Sequence, residues 1–385
     1  MKLQTFAGEP SWRLQSKNVE LAVTRRGGHM APVVFDRRGR RIRPFYMAAW
    51  KCPPRGLPPI LRVLRGDFFC LPFGGNATPY RGEKHPVHGE TANAQWSFLS
   101  STSRSGDHTL TLRLRLKIRP GTVTKRLTLR DGEDVVYQEH LVEGMKGPNC
   151  FGHHPNLLCR SPGRLAVSRL LAGSTYPRLM ESPADGNYGG LVPNVRFARL
   201  GPVPLVYGGA SNLSRYPARP GFTDVIQLVN DPKIHVAWST VTFSEEGWLY
   251  YAFKDPRMLG QTVLWFSNGG RWSAPWRGEP RNLLGLEDVT GYFAEGLAAS
   301  AKPNAWSRLG VKTCRVFSPK RLTSIRYLFG VARIPRGFTV VRSVRFEKDG
   351  VVFVGDRGCA RAQVDWRFVC GSPSPSASPR SRQAS

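Results

Sequence analysis

Between residues 110 and 118 the chain alternates without a break, every even position apolar and every odd one polar. A strict period of two predicts a strand with one buried face and one solvated face. Residues 122–130 continue in the same style, and Asp131-Gly132 supplies a tight hairpin turn before a third run at 135–142. Residues 236–243, 248–253, 262–266, 338–346 and 351–354 also read as strands, separated by clusters of Gly, Pro, Asn and Asp. Helical periodicity is confined to 294–301, enough for one or two turns. No internal repeat and no linker interrupts residues 1–370. The expectation is therefore an all-β chain, one large antiparallel sandwich or barrel over 1–370. Residues 371–385 are almost entirely Ser, Pro, Ala, Gly and Arg, a composition that cannot bury a core and predicts a disordered tail.

Composition changes this picture little. The 40 Gly and 31 Pro favour turns over long helices. A chain of 385 residues can bury roughly 75% of its unfolded surface, so it needs neither metal nor disulfide to hold a core. No stretch approaches the ~20 apolar residues of a membrane span, and the first residues lack the apolar segment of a secretory signal. The expectation is a cytoplasmic protein without membrane contact. Seven Cys, with no Cys-x-x-Cys pair, fit reduced thiols. The net charge of +29 raises the question of a nucleic-acid partner. Most of the cations are Arg scattered singly, however, and only residues 37–43 form a cluster. With no helix-turn-helix, zinc-finger or RNP pattern beside them, nucleic acid is not expected.

Chemistry concentrates elsewhere. Half of the eight His lie in two Gly/Pro-rich stretches, His85-Pro-Val-His88-Gly89 and Phe151-Gly-His153-His154-Pro155-Asn156-Leu157. Imidazole exchanges protons near neutral pH, and a buried carboxylate is its natural counterpart. The late Gly285-Leu286-Glu287-Asp288 offers such carboxylates, with Glu295 as the nearest competitor. Each group also has a plain structural reading: a turn His for His85 or His88, a turn cap for Asp224, an Arg-paired carboxylate for Glu287. No His-x-His or His-Glu-x-x-His occurs and the Cys are dispersed, so no metal is expected. No glycine-rich phosphate loop follows a strand, which argues against a nucleotide cofactor.

The order of these motifs resembles the aldose 1-epimerase (galactose mutarotase-like) superfamily. Arg65 stands in Leu64-Arg65-Gly66-Asp67-Phe68-Phe69-Cys70-Leu71-Pro72-Phe73-Gly74, and His88-Gly89 precedes Trp96. The doublet His153-His154 stands before Pro-Asn-Leu, Asp224 follows Gly221-Phe222-Thr223, and Glu287 comes last. The resemblance runs from about residue 20 to 345 and implies a large β-sandwich with a sugar cleft. It also implies cofactor-independent exchange of sugar anomers by acid–base ring opening, on a monosaccharide or a sugar phosphate. Glu287 would be the base and His153 or His154 the acid. Arg65 and His88 would hold sugar oxygens, Asp224 would accept from hydroxyls, and Trp96, Trp265 or Phe293 would floor the sugar. A non-catalytic carbohydrate-binding protein on the same scaffold is the alternative.

Overall fold

The computed structural model describes residues 1–48 and 56–371; the proposed tail falls almost wholly outside them. Two antiparallel sheets dominate. The larger, of nine strands, has at its centre Trp248–Lys254, Thr323–Arg333, Val135–Glu143, Gly121–Arg130 and Asp107–Leu116, in that order. The other, of eight, runs from Arg196–Phe197 and Leu170–Thr175 through Phe222–Asn230, Gln261–Asn268 and Leu283–Thr290 to Phe151–His153 and Phe69–Cys70. Its eighth strand, Asn156–Leu158, also pairs with Leu283–Thr290. Leu112, Leu127, Val136, Tyr250 and Phe329 of the first sheet share one apolar core with Ile226, Leu264, Phe266 and Leu286 of the second. The architecture is thus the expected all-β sandwich.

The alternating run behaves as predicted: Leu110, Leu112, Leu114 and Leu116 are buried while Arg113 and Arg115 are exposed. The strand ends at Leu116 rather than Ile118. The backbone N–H groups of Lys117 and Ile118 donate to the Glu90 carboxylate at 3.0–3.1 Å, which takes them out of the ladder. Likewise the strand expected from Phe338 begins at Val341, because the Thr339 and Val340 N–H groups turn to the Asp356 carboxylate.

Two smaller layers complete the fold. The N-terminal sheet, Gln4–Phe6 to Met30–Val34, adds Trp12, Leu21 and Val23 to the central core. The C-terminal sheet, Val341–Glu347, Gly350–Gly355 and Cys359–Gln363, packs Val351 and Phe353 against Tyr137, Tyr251 and Leu328 on the other side of the nine-stranded sheet. The segment expected to be helical contains the single turn Leu297–Ser300. Among the described residues, no helix is long and apolar enough to cross a membrane.

Candidate functional site

The site follows from strand register. Phe151–His153 and Asn156–Leu158 both pair with Leu283–Thr290, His153 opposite Asp288 and Asn156 opposite Gly285. One register therefore runs through the break at His154-Pro155, and the Leu286 N–H keeps it by donating to the Pro155 carbonyl at 2.9 Å. Residues directly opposed across a ladder share a face, and neighbours along a strand alternate. His154 and Glu287 accordingly project one way, His153 and Asp288 the other. His154 Nε2 lies 3.2 Å from Glu287 Oε1, and the two residues are 4% and 2% exposed.

The His154 face is turned away from the nine-stranded sheet, where Val225, Val263, Trp265, Phe73 and Phe293 form a second apolar cluster. Phe68 stacks on His154 with centroids 4.6 Å apart, and His29 stacks on the far side of Phe68 at 4.1 Å. His88 meets His154 edge-on at 4.8 Å. Its Nδ1 accepts the Gly74 N–H, which places the ring proton on Nε2. Glu287 Oε1 lies over Gly285, where a Cβ would approach it to 2.8 Å and the Trp265 Cβ to 3.0 Å. Only glycine leaves that carboxylate its position. Three buried polar atoms here, Glu287 Oε2, His154 Nδ1 and Trp265 Nε1, have no protein partner. Leaving such atoms unpaired costs about 1–3 kcal/mol each, so their convergence favours a ligand rich in donors and acceptors.

Burial sets the protonation of the pair. It drives the Glu287 carboxyl well above its ordinary range, with the Arg271 guanidinium pulling the other way. It drives the His154 imidazolium well below its own, and nearby His88 adds to the effect. His88 is lowered by burial to about 3. Both shifts favour the uncharged pair, a carboxyl that holds its proton beside a neutral imidazole. Arg271 sits 5.4 Å from the centroids of both Trp265 and Trp276 and is paired with Glu181.

The reverse face of the same strands is polar as well. Asp288 meets the Lys254 ammonium at 2.5 Å, and Thr262 Oγ1 donates to Asp288 at 2.7 Å. His153 Nδ1 lies 3.3 Å from Asp67 Oδ2, with its ring stacked on Tyr327 at 4.3 Å.

The sequence-derived set is thus divided. His154, His88, Glu287, Trp265 and Phe293 lie on the one face. His153 is on the other, so the doublet contributes one imidazole, His154. Arg65 is spent on backbone carbonyls of Val63, Phe6 and Ala7 at 3.0–3.3 Å and ties down the N-terminal turn. Asp224 pairs in register with Phe266, which turns it toward the inter-sheet core. There it accepts from the Gly190 and Leu191 N–H groups and from Arg219 at 2.8 Å. Trp96 is in the inter-sheet core with its indole N–H on the Thr91 carbonyl. Arg65, Asp224 and Trp96, expected as substrate contacts, are thus each engaged by protein groups. His85 is paired with Glu83, and Glu295 is held by Tyr176 and Arg178. Sequence reasoning did not single out Phe68, Arg271, Trp276, His29 or Asp67. The available signal was parity: adjacent His153 and His154 on a strand cannot both face Glu287.

No protein-family model matches the chain, and no curated protein matches it in sequence. Solved structures do resemble it. The Slr1438 protein from Synechocystis sp. PCC 6803 superposes with a TM-score of 0.55 at 13% identity, over 86% of this chain and 99% of that one. A galactose mutarotase related enzyme from Lactobacillus acidophilus gives 0.52 at 11%, over 83% and 97%. A galactose mutarotase-like protein from Clostridium acetobutylicum gives 0.53 at 9%, over 86% and 98%. At these identities the likeness is one of fold.

Proposed function

We propose that, on this galactose mutarotase-like fold, the chain is a cofactor-independent aldose (or sugar-phosphate) 1-epimerase in which Glu287 and His154 are the acid–base pair. The observation that carries the reading is the 3.2 Å approach of His154 Nε2 to Glu287 Oε1 on one face, amid unpartnered polar atoms. Anomer exchange needs a base at the C1 hydroxyl and an acid at the ring oxygen. Glu287, having passed its proton to His154, removes the O1 proton; the C1–O5 bond breaks as O1 becomes the aldehyde oxygen. His154 delivers its proton to O5. Rotation about C1–C2 and the reverse steps close the other anomer, and the pair again holds one proton. No electron changes hands. Each positioned transfer is worth about 10²–10⁴ in rate.

In this reading His88 Nε2–H would donate to a sugar oxygen, and Trp265 would be an apolar floor for the C–H face of the ring. Arg271, next to both Trp265 and Trp276 and paired with Glu181, would be the group that recognises a phosphate substituent, since an Arg fork matches phosphate geometry.

Polarimetry of freshly dissolved α-glucose and α-galactose, with NMR of the 6-phosphates, tests the reading. Acceleration is expected with at least one of them. The reactive form keeps one proton on the pair. Activity should therefore hold between the lowered His154 value and the raised Glu287 value. It should fall as pH rises through the raised Glu287 value and that proton leaves. At the acid end it should fall only well below the ordinary imidazole value of about 6.5. Sugar binding without acceleration would leave only carbohydrate binding; neither would remove both readings.

A further inference from the structure

On the reverse face of the His154 strand lies a carboxylate that the proton chemistry does not use. Asp67 is fully buried. Its Oδ1 accepts the His154 backbone N–H at 3.0 Å, an N–H it shares with the Phe68 carbonyl. Its Oδ2 accepts Gln138 Nε2 at 2.6 Å, from the facing sheet, and lies 3.3 Å from His153 Nδ1. One carboxylate thus touches the backbone of one histidine and the ring of its neighbour, and anchors both to the opposite sheet. The backbone is shaped for it. Gly66 has φ +51°, and a Cβ there would come within 1.7 Å of the Met30 carbonyl oxygen, while the Met30 N–H donates to the Asp67 carbonyl at 2.8 Å. The next residue, Phe68, carries the ring on which His154 stacks.

We propose that Asp67 is a positioning residue for His154: it fixes the height and rotation of the strand break at His154-Pro155, and so aims Nε2 at Glu287 and the substrate. The proposal rests on the acid–base reading above for its kinetic consequence, but not for its structural one. It assigns Asp67 a geometric role rather than an electrostatic one. That distinction makes the neutral amide informative, because both other partners can reverse their polarity. Gln138 Oε1 is unpartnered, so a turned Gln138 amide can accept from an asparagine Nδ2. His153 Nε2 is unpartnered as well, so the His153 ring can move its proton there and accept at Nδ1. In Asp67→Asn the amide oxygen can then stay on the His154 N–H while the amide nitrogen restores the remaining bonds.

The test compares Asp67→Asn and Asp67→Ala in the full chain, by anomerase kinetics and by 15N NMR of the His154 imidazole. In kinetics, D67A should lose about 10-fold or more in kcat with KM within about 2-fold, since misaiming a proton donor by a fraction of an ångström harms the reaction more than binding. D67N should stay within about 3-fold of the parent. In NMR, the His154 signals should move or broaden in D67A and return to their places in D67N. Should D67A fail to fold, Gln138→Met, which removes the anchor from the facing sheet without touching His154, should perturb the same signals. If folded D67A, or Q138M in its place, keeps the parent's His154 signals, or if D67N is as impaired as D67A, the positioning role is overturned. If the parent turns over no sugar, the acid–base reading fails while the NMR arm still decides the role of Asp67.

Discussion

Glu287→Gln should lower anomer exchange by about 10²–10⁴-fold and, at the same time, make the folded protein more stable above pH ~5. The kinetic half follows from the proton count: an amide cannot take the O1 proton, so His154 has no source for the proton it must deliver. The stability half follows from burial. The Glu287 carboxyl has a folded value raised well above its ordinary 4.5. A group raised on folding contributes stability that is present below the unfolded value and lost as pH rises toward the folded one. Below about pH 4.5 the parent and the Gln variant should therefore be alike. Above it the parent weakens by at most about 1.4 kcal/mol per pH unit, until the folded value is reached, and the amide does not. Thermal melts of both proteins between pH 4 and 8 measure the gap directly. A gap that closes or reverses with rising pH would remove the buried, protonated carboxyl from the account.

The neighbouring carboxylate should behave in the opposite way. Asp288→Ala is expected to cost about 3–5 kcal/mol, a fall in Tm on the order of 10 °C. Asp288 and Lys254 are each 1% exposed and 2.5 Å apart. The Lys254 ammonium further donates to the Gln261 carbonyl and to Thr262 Oγ1 at 2.6–2.7 Å. Removing the aspartate leaves that cation buried without its counter-ion. Replacing both partners by apolar residues of similar size, Lys254→Met with Asp288→Leu, should restore most of the loss. A D288A protein as stable as the parent would show that this pair is not desolvated. Two consecutive acidic residues, on opposite faces of one strand, would then be separated by sign: loss of the Glu287 charge stabilises, loss of the Asp288 charge destabilises.

How much of this was legible in the chain depended on whether a segment buries one face or two. The hairpin from Asp107 to Arg130 lies in a sheet region with a partly solvated face, so its leucines alternate and announce themselves. Phe222–Asn230 and Leu283–Thr290 are buried on both faces and carry no period of two, although they hold Asp224 and Glu287. The residues of the site could be nominated by type and order, but their facing could not. Asp224 looked like a hydroxyl acceptor beside a turn; register with Phe266 turns it inward to Arg219. Arg65 and Asp67 are two residues apart, and the sequence favoured the Arg. The backbone gives Arg65 carbonyls to bond, whereas Asp67 reaches both histidines. Parity alone separates His153 from His154, and parity becomes usable only once their strand partner is known.

The central claim is that His154 and Glu287 share the proton that opens the sugar ring, and exchange NMR of an anomeric pair tests it most directly. The rate is measured for the parent, His154→Asn and His153→Asn on whichever aldose or sugar phosphate the parent accelerates. The account predicts a loss of about 10²-fold or more in the His154 variant, and near-parental exchange per folded molecule in the His153 variant. Undiminished exchange in His154→Asn, or no acceleration by the parent on any of these sugars, would contradict it.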